Sequence, residues 1–574
     1  MQGLYFTGIA ASSGIAIGKA QVNRPRLDDV IVRKGVDVKE ERERFQRAVQ
    51  AALQDLIQIT DEAKNKLGAS EAQIFEAHQL MLQDPAFVES VLQAIQSEKV
   101  NAEAALQKVT KSLVEVFEAM DNDYIGGRAA DIEDISHRVM THLLEKGADR
   151  ASQDVDGPAI VFAQDLAPSD TVQMDAEHVL AFVTEVGGKT SHTAIISRTI
   201  GIPAVVGLKG ILEHVREGMT VIVDGVDGKV ILQPTDEELL IYREKKELWV
   251  ARQNEWRDLI DKPSMTEDGV KVSLGANIST PDDMENVLAN GAEGVGLFRT
   301  EFLFMNRREA PSEEEQFAAY QKVAALLQGK PVIIRTLDIG GDKQVPYLGL
   351  PAEANPFLGY RAIRIGLDHT DLLATQLRAI VRASHFGNVK IMYPMIATLE
   401  EIKQANQILE RVKEQLQKEN VPFDSSLEVG IMVEIPSAAL SARVLAKEVD
   451  FFSIGSNDLI QYTMACDRMN EKIAYLYQPY HPAVLRLIKG VIDAAHAEGK
   501  WVGLCGEMAG DPVAVPLLIG MGLDEFSMSP ASILSIRAML RRLSSVAMKR
   551  LVEEALELAD QAQVKRLVES QVSK

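Results

Sequence analysis

The C-terminal half of the sequence carries eight short apolar runs, each ending in polar or charged residues. They occupy residues 272–278, 294–300, 332–338, 389–395, 428–434, 451–458, 501–507 and 525–530. Helical patterns such as LLATQLRAIVRAS and ALSARVLAKEV separate them. Near-continuous apolar strands that alternate with helices are typical of a parallel sheet covered on both faces. Eight of them over roughly 300 residues predict a (β/α)8 TIM barrel, which we assign to residues 264–574.

In a TIM barrel the C-terminal ends of the strands meet at one rim, where the chemistry is concentrated. The residues that end the runs are unusually polar: Arg299, Arg335, Asp338, Glu434, Asn457, Asp458, Cys505 and Glu507. The guanidinium groups of Arg299 and Arg335 suit phosphate or carboxylate oxygens. The alternative is that both arginines form structural salt bridges, to Glu301 and Asp338.

Two carboxylates, Glu434 and Asp458, end consecutive runs and are the candidate metal ligands. Mg²⁺ takes one or two protein carboxylates and leaves positions for substrate oxygens and water. The alternative is a general acid/base pair. The loop IGGDK adds the backbone N–H groups of Gly340 and Gly341 and the cation of Lys343. Together these groups predict a site for a small, doubly anionic phosphate ester bound to a divalent metal.

Cys505 ends the seventh run, and its role stays open on spacing alone. It is either a small buried hydrophobic residue or a proton donor or nucleophile beside the metal. With Cys466 it makes up the whole cysteine content, too few for a disulfide framework or a structural zinc site. This cysteine usage is typical of a cytoplasmic protein.

The N-terminal half predicts a helical block inserted into an α/β domain. Strand-like segments fill residues 1–24 and return at 149–233, whereas residues 25–148 carry apolar residues at helical spacing, such as Phe45 and Val49. Thr235 and Glu238 then form a capping-box pattern that opens a linker helix at 234–263, which Pro263 is expected to end.

The stretch GGKTSHTAI, residues 187–195, holds a single histidine at a predicted helix start. Free N–H groups and the helix dipole favour an anion at such a position. His192 is therefore a candidate phosphoryl acceptor, with a capping histidine or a metal ligand as the alternatives. A metal is disfavoured because no second histidine or cysteine stands at ligand spacing.

Charge and hydropathy exclude two classes of partner. The net charge of −22 argues against nucleic acid as the main partner. No apolar run approaches the roughly 20 residues needed to span a bilayer, and the N-terminus lacks the pattern of a signal peptide. We therefore expect a cytoplasmic protein with no membrane insertion.

Eight motifs taken in order resemble one family across essentially the whole chain. They are GIAASSGIAIGKA, GGKTSHTAIISR, GAEGVGLFRTEFLF, RTLDIGGDK, NPFLGYRAIR, IMVEIPSAA, FFSIGSNDLIQYT and LCGEMAGD. Together they are similar to enzyme I of the bacterial phosphoenolpyruvate-dependent sugar phosphotransferase system, a phosphoenolpyruvate–protein phosphotransferase. The resemblance implies a swivelling phosphohistidine α/β domain, an inserted helical domain that binds the carrier protein HPr, a linker helix, and a barrel that binds phosphoenolpyruvate and forms a homodimer.

The resemblance also implies a role for each matching residue. Nε2 of His192 would take the phosphoryl group of phosphoenolpyruvate and pass it to a histidine of HPr, with release of pyruvate. Substrate binding would fall to Arg299, Arg335, Arg361, Asn457, Asp458 and Arg468. Glu434 and Asp458 would hold Mg²⁺, and Cys505 would protonate the enolate.

The sequence departs from the family pattern at a few positions. They are Lys189 (for arginine), Ile435 and Ser456 (each for threonine) and Met469 (for glycine). Met469 bears most on the substrate loop, because it stands beside Arg468. In the helical block, the segment FEAHQLML at 75–82 and Arg128 match the carrier-docking surface only loosely.

Two other functions would fit parts of the sequence. Pyruvate phosphate dikinase and phosphoenolpyruvate synthase resemble the histidine domain and the barrel, but they need a further nucleotide-binding domain of several hundred residues. Here about 120 helical residues stand in its place, with no Gly-rich phosphate loop. A regulatory protein that senses phosphoenolpyruvate without turnover would not need the intact set of rim residues and His192.

Overall fold

The computed structural model describes residues 3–23, 32–66, 75, 78–118, 123–144, 157–166, 178–188, 193–194, 197, 201–305, 307–341, 345–350, 353–468 and 470–572. The chain divides into two units, Met1–Gln253 and Asn254–Lys574. None of the helices in the described residues combines the length and the apolar character needed to cross a bilayer.

A mixed eight-stranded sheet organises the α/β part of the first unit. Its strands are β1 (Leu4–Thr7), β2 (Ile9–Ser12), β3 (Ile15–Asn23), β4 (Ala159–Ala163), β5 (Val179–Thr184), β6 (Ala204–Val206), β7 (Thr220–Asp224) and β8 (Lys229–Leu232). They lie in the order β1-β8-β7-β3-β4-β5-β6-β2. β3 pairs with β4 in parallel and with β7 in antiparallel. The chain therefore leaves the sheet after Asn23 and rejoins it at Ala159.

Long helices occupy the chain between β3 and β4. They are α1 (Val38–Lys66), α2 (Pro85–Glu98), α3 (Ala102–Glu118) and α4 (Asp123–Leu144). Their shared core is apolar, and Phe45, Leu56, Val91, Leu106 and Val139 are all fully buried in it. The predicted helical block is confirmed, whereas its boundaries at residues 25 and 148 fall outside the described residues and stay predictions.

The predicted linker helix is present, and its N-terminus is capped as expected. A short helix, α5 (Ile211–His214), precedes α6 (Asp236–Arg257). The backbone N–H of Thr235 donates to Glu238 Oε2 at 2.6 Å, and the backbone N–H of Glu238 donates to Thr235 Oγ1 at 3.2 Å. This reciprocal pair is the capping box that the sequence predicts. The expectation that Pro263 ends the helix is wrong, because the helix ends at Arg257 and turns follow.

Eight parallel strands of the second unit close into a barrel. They are β9 (Ser273–Ile278), β10 (Gly294–Phe298), β11 (Val332–Arg335), β12 (Val389–Tyr393), β13 (Val429–Val433), β14 (Phe451–Ile454), β15 (Trp501–Leu504) and β16 (Glu525–Met528). β16 pairs with β9 and joins the last strand to the first. All eight lie within the predicted runs, so the TIM barrel is confirmed.

Helices follow the strands and form the outer layer of the barrel. They are α7 (Met284–Ala289), α8 (Glu313–Leu326), α9 (Ile363–Asp368), α10 (Thr370–Ala383), α11 (Leu399–Lys418), α12 (Pro436–Leu440), α13 (Ala442–Leu445), α14 (Ser456–Met464), α15 (Pro482–Ala497), α16 (Ala514–Met521), α17 (Ile533–Leu540), α18 (Ser545–Ala555) and α19 (Gln561–Val572). The main core lies between these helices and the strands. A smaller apolar cluster that includes Leu297, Ile333, Met432 and Phe451 fills the barrel interior.

One predicted strand end is wrong in a way that matters for the site. β14 ends at Ile454, and the last residues of its run, Asn457 and Asp458, lie in the first turn of α14. Short polar residues are favoured at a helix start, and a carboxylate there interacts favourably with the helix dipole. The two side chains therefore belong to a helix N-terminus, directly after the strand.

The buried guanidinium of Arg537 fixes the segment between α6 and β9, which leads into the barrel. It is fully buried and donates to the carbonyl oxygens of Leu259, Ile260 and Gly291 at 3.0, 2.8 and 2.6 Å, and to Ser264 Oγ at 3.1 Å. These hydrogen bonds satisfy carbonyl oxygens in the turn that follows α6, so the helix ends at Arg257, well before Pro263.

We predict that Arg537→Met lowers the free energy of unfolding of the barrel by about 3 kcal/mol, because buried carbonyl groups lose their donors. The thermal transition of the barrel, followed by calorimetry, measures this loss. Arg541→Met is the matched control, since the exposed Arg541 donates to one carbonyl at 3.3 Å. Equal effects of the two changes would contradict the assigned role of Arg537.

Candidate active site at the C-terminal rim of the barrel

The carboxylate of Asp338 links two arginines at the rim. Its Oδ2 lies 2.9 Å from Nη1 of Arg335, and its Oδ1 lies 2.9 Å from Nη2 of Arg361. Arg335 also donates to Glu301 Oε1 at 2.6 Å. All four side chains are at least nine-tenths buried. Arg335 therefore forms both salt bridges of the structural alternative, one to Glu301 and one to Asp338.

Neighbouring carboxylates keep these buried arginines charged. Burial by itself lowers the pKa of Arg335, but the charges of Glu301, Asp338 and Glu434 outweigh it and raise that pKa. The pKa of Arg361 is also raised, because Asp338 and Glu434 outweigh the effect of burial. Both guanidinium groups are thus fixed positive charges that an anionic ligand can meet without reorganisation.

Arg299 differs from its neighbours because it has no ion-pair partner within the part of the chain that the structure describes. Burial lowers the pKa of its guanidinium, and the positive charge of Arg335 lowers it further. A second anion would relieve this repulsion. Arg468 is exposed, and its Nη1 lies 3.8 Å from Asp458 Oδ1. These two arginines are the cations freest to bind a ligand.

The carboxylate of Glu434 is fully buried, and the hydrogen bond that the structure shows reaches one of its two oxygens. The backbone N–H of Met395 donates to its Oε1 at 2.5 Å, and none of the residues that the structure describes donates to its Oε2. Met395 adopts a φ of 54°, a strained value for a residue with a side chain. Burial raises the pKa of the Glu434 carboxyl, and the charges of Asp458 and Asp338 raise it further. A cation at Oε2 would stabilise the ionised form.

The start of α14 lies so close to Glu434 that position 455 requires a glycine. A Cβ on Gly455 would lie 2.9 Å from Glu434 Cβ and 3.0 Å from its Oε2. Gly455 also directly precedes the first turn of α14 and so lets that helix start close to the carboxylate. Any larger residue would displace the Glu434 side chain or the helix start.

The first turn of α14 supplies Asp458 and Asn457. Asp458 Oδ1 is buried and has no hydrogen-bond partner in the described part of the chain. Asn457 Oδ1 accepts the backbone N–H of Glu507 at 3.2 Å and the hydroxyl of Tyr477 at 3.5 Å. The amide group is therefore held at the rim, whereas the Oδ1 of Asp458 is approached only by the charge of Arg468 among the described residues.

Two oxygens, Glu434 Oε2 and Asp458 Oδ1, fit a magnesium ion by their chemistry. Both are buried carboxylate oxygens that accept no hydrogen bond from the described residues, and carboxylate oxygen is the ligand type that Mg²⁺ prefers. No group of three or more His, Cys, Asp and Glu side chains in the described ranges is arranged to hold a metal. Two protein carboxylates are nevertheless enough for Mg²⁺, because it keeps several water or substrate ligands.

Cys505 lies at the inner edge of the rim as a neutral thiol. It is 4% exposed, and its Sγ lies 3.7 Å from the carbonyl oxygen of Ile454. Burial raises the pKa of the thiol to about 12, although contacts with Ser453 and Arg335 act in the opposite direction. A thiol that keeps its proton at neutral pH can donate it, but it is a poor nucleophile. The nucleophile interpretation of Cys505 is therefore disfavoured.

Several sequence-predicted residues lie outside the described residues. They are His192, Lys189, Lys343 and Met469, together with the side chain of Arg128. Thr193 and Ala194, which follow His192 directly, are helical and buried, and Gly187 adopts a positive φ of 109°. In the segment FEAHQLML, Phe75 and His78 are buried, whereas Leu80 is 70% exposed.

The rim also contains functional partners that the sequence reading missed. Tyr462 donates its hydroxyl to the Phe357 carbonyl and lies 3.3 Å from Nη1 of Arg361. Met395 supplies the N–H that orients Glu434. Met395 could not be found from the sequence, since its contribution is a backbone group. Tyr462 lies six positions after Ser456 on α14, a weak signal that becomes visible only once the helix is known.

Three family models match the sequence along its length. Residues 7–128 match "PEP-utilising enzyme, N-terminal", residues 155–228 match "PEP-utilising enzyme, mobile domain", and residues 253–545 match "PEP-utilising enzyme, PEP-binding domain", where PEP is phosphoenolpyruvate. The last of these models covers the whole barrel rim.

Full-length relatives agree with the models. The chain is 53% identical over 559 residues to the phosphoenolpyruvate-protein phosphotransferase of Bacillus sp. (strain S), covering 97% of this chain and 96% of that protein. The enzyme of the same name from Geobacillus stearothermophilus is 53% identical over the same shares of both chains. That from Staphylococcus carnosus (strain TM300) is 51% identical over 565 residues, 98% of each chain. The chain belongs to the phosphoenolpyruvate–protein phosphotransferase family.

Proposed function

We propose that the chain moves the phosphoryl group of phosphoenolpyruvate to His192 and then to a histidine of the carrier protein HPr, the first step of sugar phosphotransfer. The observation that carries the proposal is the rim itself. Buried cations, a protonated thiol and two carboxylates, each with an oxygen that accepts no hydrogen bond from the described residues, lie at the ends of the barrel strands. A doubly anionic enol phosphate needs each of these groups.

The arginines bind and orient the substrate in this proposal. Arg299 and Arg468 take the phosphate or carboxylate oxygens directly, because neither is held in a buried salt bridge. Arg335 and Arg361 contribute charge from fixed positions on Asp338. Glu434 and Asp458 hold Mg²⁺, which neutralises phosphate charge when it is bound, and Asn457 assists substrate binding.

The chemical step is a phosphoryl transfer followed by a protonation. Nε2 of His192 attacks the phosphorus, the bond from phosphorus to the enol oxygen breaks, and its electron pair leaves with the enolate. The Cys505 thiol gives its proton to the methylene carbon of the enolate, and pyruvate leaves. The thiolate then recovers a proton from water, and the phosphohistidine gives its phosphoryl group to the histidine of HPr.

The partners and the location complete the proposal. HPr docks on the helical block, whose exposed Leu80 offers an apolar contact. A homodimer forms through the barrel, where Leu440, Val444 and Tyr475 are large apolar residues exposed by 54% or more. A cytoplasmic location follows from the cysteine usage and from the partner. The domains of this proposal are 1–24 with 149–233, 25–148, 234–263 and 264–574.

We predict that His192→Ala abolishes acid-labile labelling of the protein by radioactive phosphoenolpyruvate with Mg²⁺. The reason is that the imidazole nitrogen is the proposed acceptor, and a phosphorus–nitrogen bond is acid-labile. His178→Ala, at an exposed position, is the matched control and should label normally. Label retained on the His192 variant would contradict the assignment.

We predict that Cys505→Ala lowers turnover of phosphoenolpyruvate by about a hundredfold or more, since general acid catalysis contributes on that scale. Exchange of the phosphoryl group between His192 and HPr, measured with labelled HPr, should change far less, because no enolate forms in it. Cys466→Ala, a change at the other buried cysteine, controls for packing. Equal losses in both reactions would make Cys505 structural.

We predict that Glu434→Gln and Asp458→Asn each weaken binding of Mn²⁺, a spectroscopic substitute for Mg²⁺, by about tenfold or more, as loss of a charged ligand oxygen requires. Electron paramagnetic resonance of free Mn²⁺ measures binding without turnover. Glu414→Gln, at an exposed position on α11, is the control. Unchanged Mn²⁺ affinity in both rim variants would argue for the acid/base alternative.

A further inference from the structure

A cavity of about 290 Å³ lies at the opposite end of the barrel from the rim. Its walls include Ser273, Gly294, Trp501 and Glu525, each the first residue of a barrel strand. The cavity therefore sits at the N-terminal ends of the strands. Ser273 is exposed, so the cavity opens to solvent on this side.

Three glycines make room for the side chain of Glu525 in this cavity. A Cβ on Gly275 or Gly296 would lie 2.5 or 1.9 Å from Glu525 Oε1, and a Cβ on Gly503 would lie 2.1 Å from Oε2. The glycines belong to β9, β10 and β15. Three separate strands thus have no side chain at the point where the Glu525 carboxyl group lies. The absence of these side chains creates the space that this carboxyl group occupies.

Glu525 stands out among the acidic residues that line the cavity because it lacks a donor. It is only 7% exposed, and its Oε2 accepts no hydrogen bond from any residue in the described ranges. By contrast, Glu293 accepts two backbone N–H groups at 3.2 and 2.8 Å. Asp524 accepts the backbone N–H of Val502 at 2.8 Å and lies 2.8 Å from Nε2 of His496. Glu525 is therefore the carboxyl group left for a ligand.

One cation, Lys390, lines this cavity itself, and its charge is already paired. Lys390 Nζ lies 2.5 Å from Glu428 Oε1 and 5.5 Å from the centroid of the Trp501 ring. Burial raises the pKa of the Glu525 carboxyl to about 8, and the positive charge of Lys390 does not offset this. The rest of the wall is mainly apolar and includes Ile333.

We propose that this cavity binds a small organic ammonium ion, whose nitrogen donates to Glu525 and whose apolar body packs against Trp501 and Ile333. An ammonium group supplies the counter-charge and the donors that the carboxyl group lacks. The volume is at the lower end of the range for small-molecule sites, so the ligand is small and carries a single amine.

Benzylammonium is the probe that tests this site, with benzyl alcohol as its uncharged counterpart of nearly equal shape. Isothermal titration of the intact protein at pH 7 should show binding of the amine at least about tenfold tighter than that of the alcohol, as a charge-assisted hydrogen bond requires. Glu525→Gln should remove this preference, whereas Glu414→Gln at an exposed position should keep it.

A second measurement uses the unmodified protein alone. Because Glu525 is mostly protonated at pH 7 and must ionise to pair with the amine, binding should release close to one proton. Titrations in phosphate and in Tris buffers, whose ionisation enthalpies differ, report that number. Turnover of phosphoenolpyruvate by Glu525→Gln should equal that of the unmodified protein, which verifies that the variant folds.

The proposal is overturned by any of three results. These are equal affinity for the amine and the alcohol, which would describe an apolar or hydrated cavity only; an unchanged amine preference in a folded Glu525→Gln protein; or no binding heat from benzylammonium up to about 10 mM.

Discussion

The pairing of β16 with β9 is the constraint on which the candidate site depends. It closes the parallel ladder, so the C-terminal ends of all eight strands face one another around a single rim. Arg299 follows β10, Arg335 ends β11 and Glu434 follows β13. These residues are far apart in sequence, and an open sheet would spread them along an edge. Closure converts a linear order of strands into a ring of charges.

Within this ring, buried ion pairs determine which charged side chains remain available to a ligand. Asp338 holds Arg335 and Arg361 in fixed positions, and its two oxygens are both used. Such pairs cost desolvation energy and are weak evidence for stability. Their value here is order, because they hold the cations of the candidate site in fixed orientations. Arg299 lacks such a pair and lies beside Arg335, so it gains most from an incoming anion.

Sequence periodicity was enough to predict the barrel, the helical block and the capped linker helix, because each depends on local apolar spacing. The rim residues could be predicted to lie together because parallel strands run in one direction, so their C-terminal ends lie on the same side of the barrel. The pattern could not show that Asn457 and Asp458 begin a helix, since the apolar run continues past the point where β14 ends. It also could not reveal Arg537 or the Met395 N–H, which act through backbone groups distant in sequence. The predicted acceptor His192 lies outside the described residues, so its role rests on the motif.

The raised pKa of the Cys505 thiol has a consequence for the durability of the enzyme. With a pKa of about 12, only about one molecule in 10⁵ carries the thiolate at neutral pH. Oxidants and alkylating agents attack the thiolate, so burial that preserves the proton also shields the sulfur from chemical damage. In the proposed mechanism, this sulfur would therefore be open to oxidation mainly in molecules that have donated the proton and have not yet recovered it.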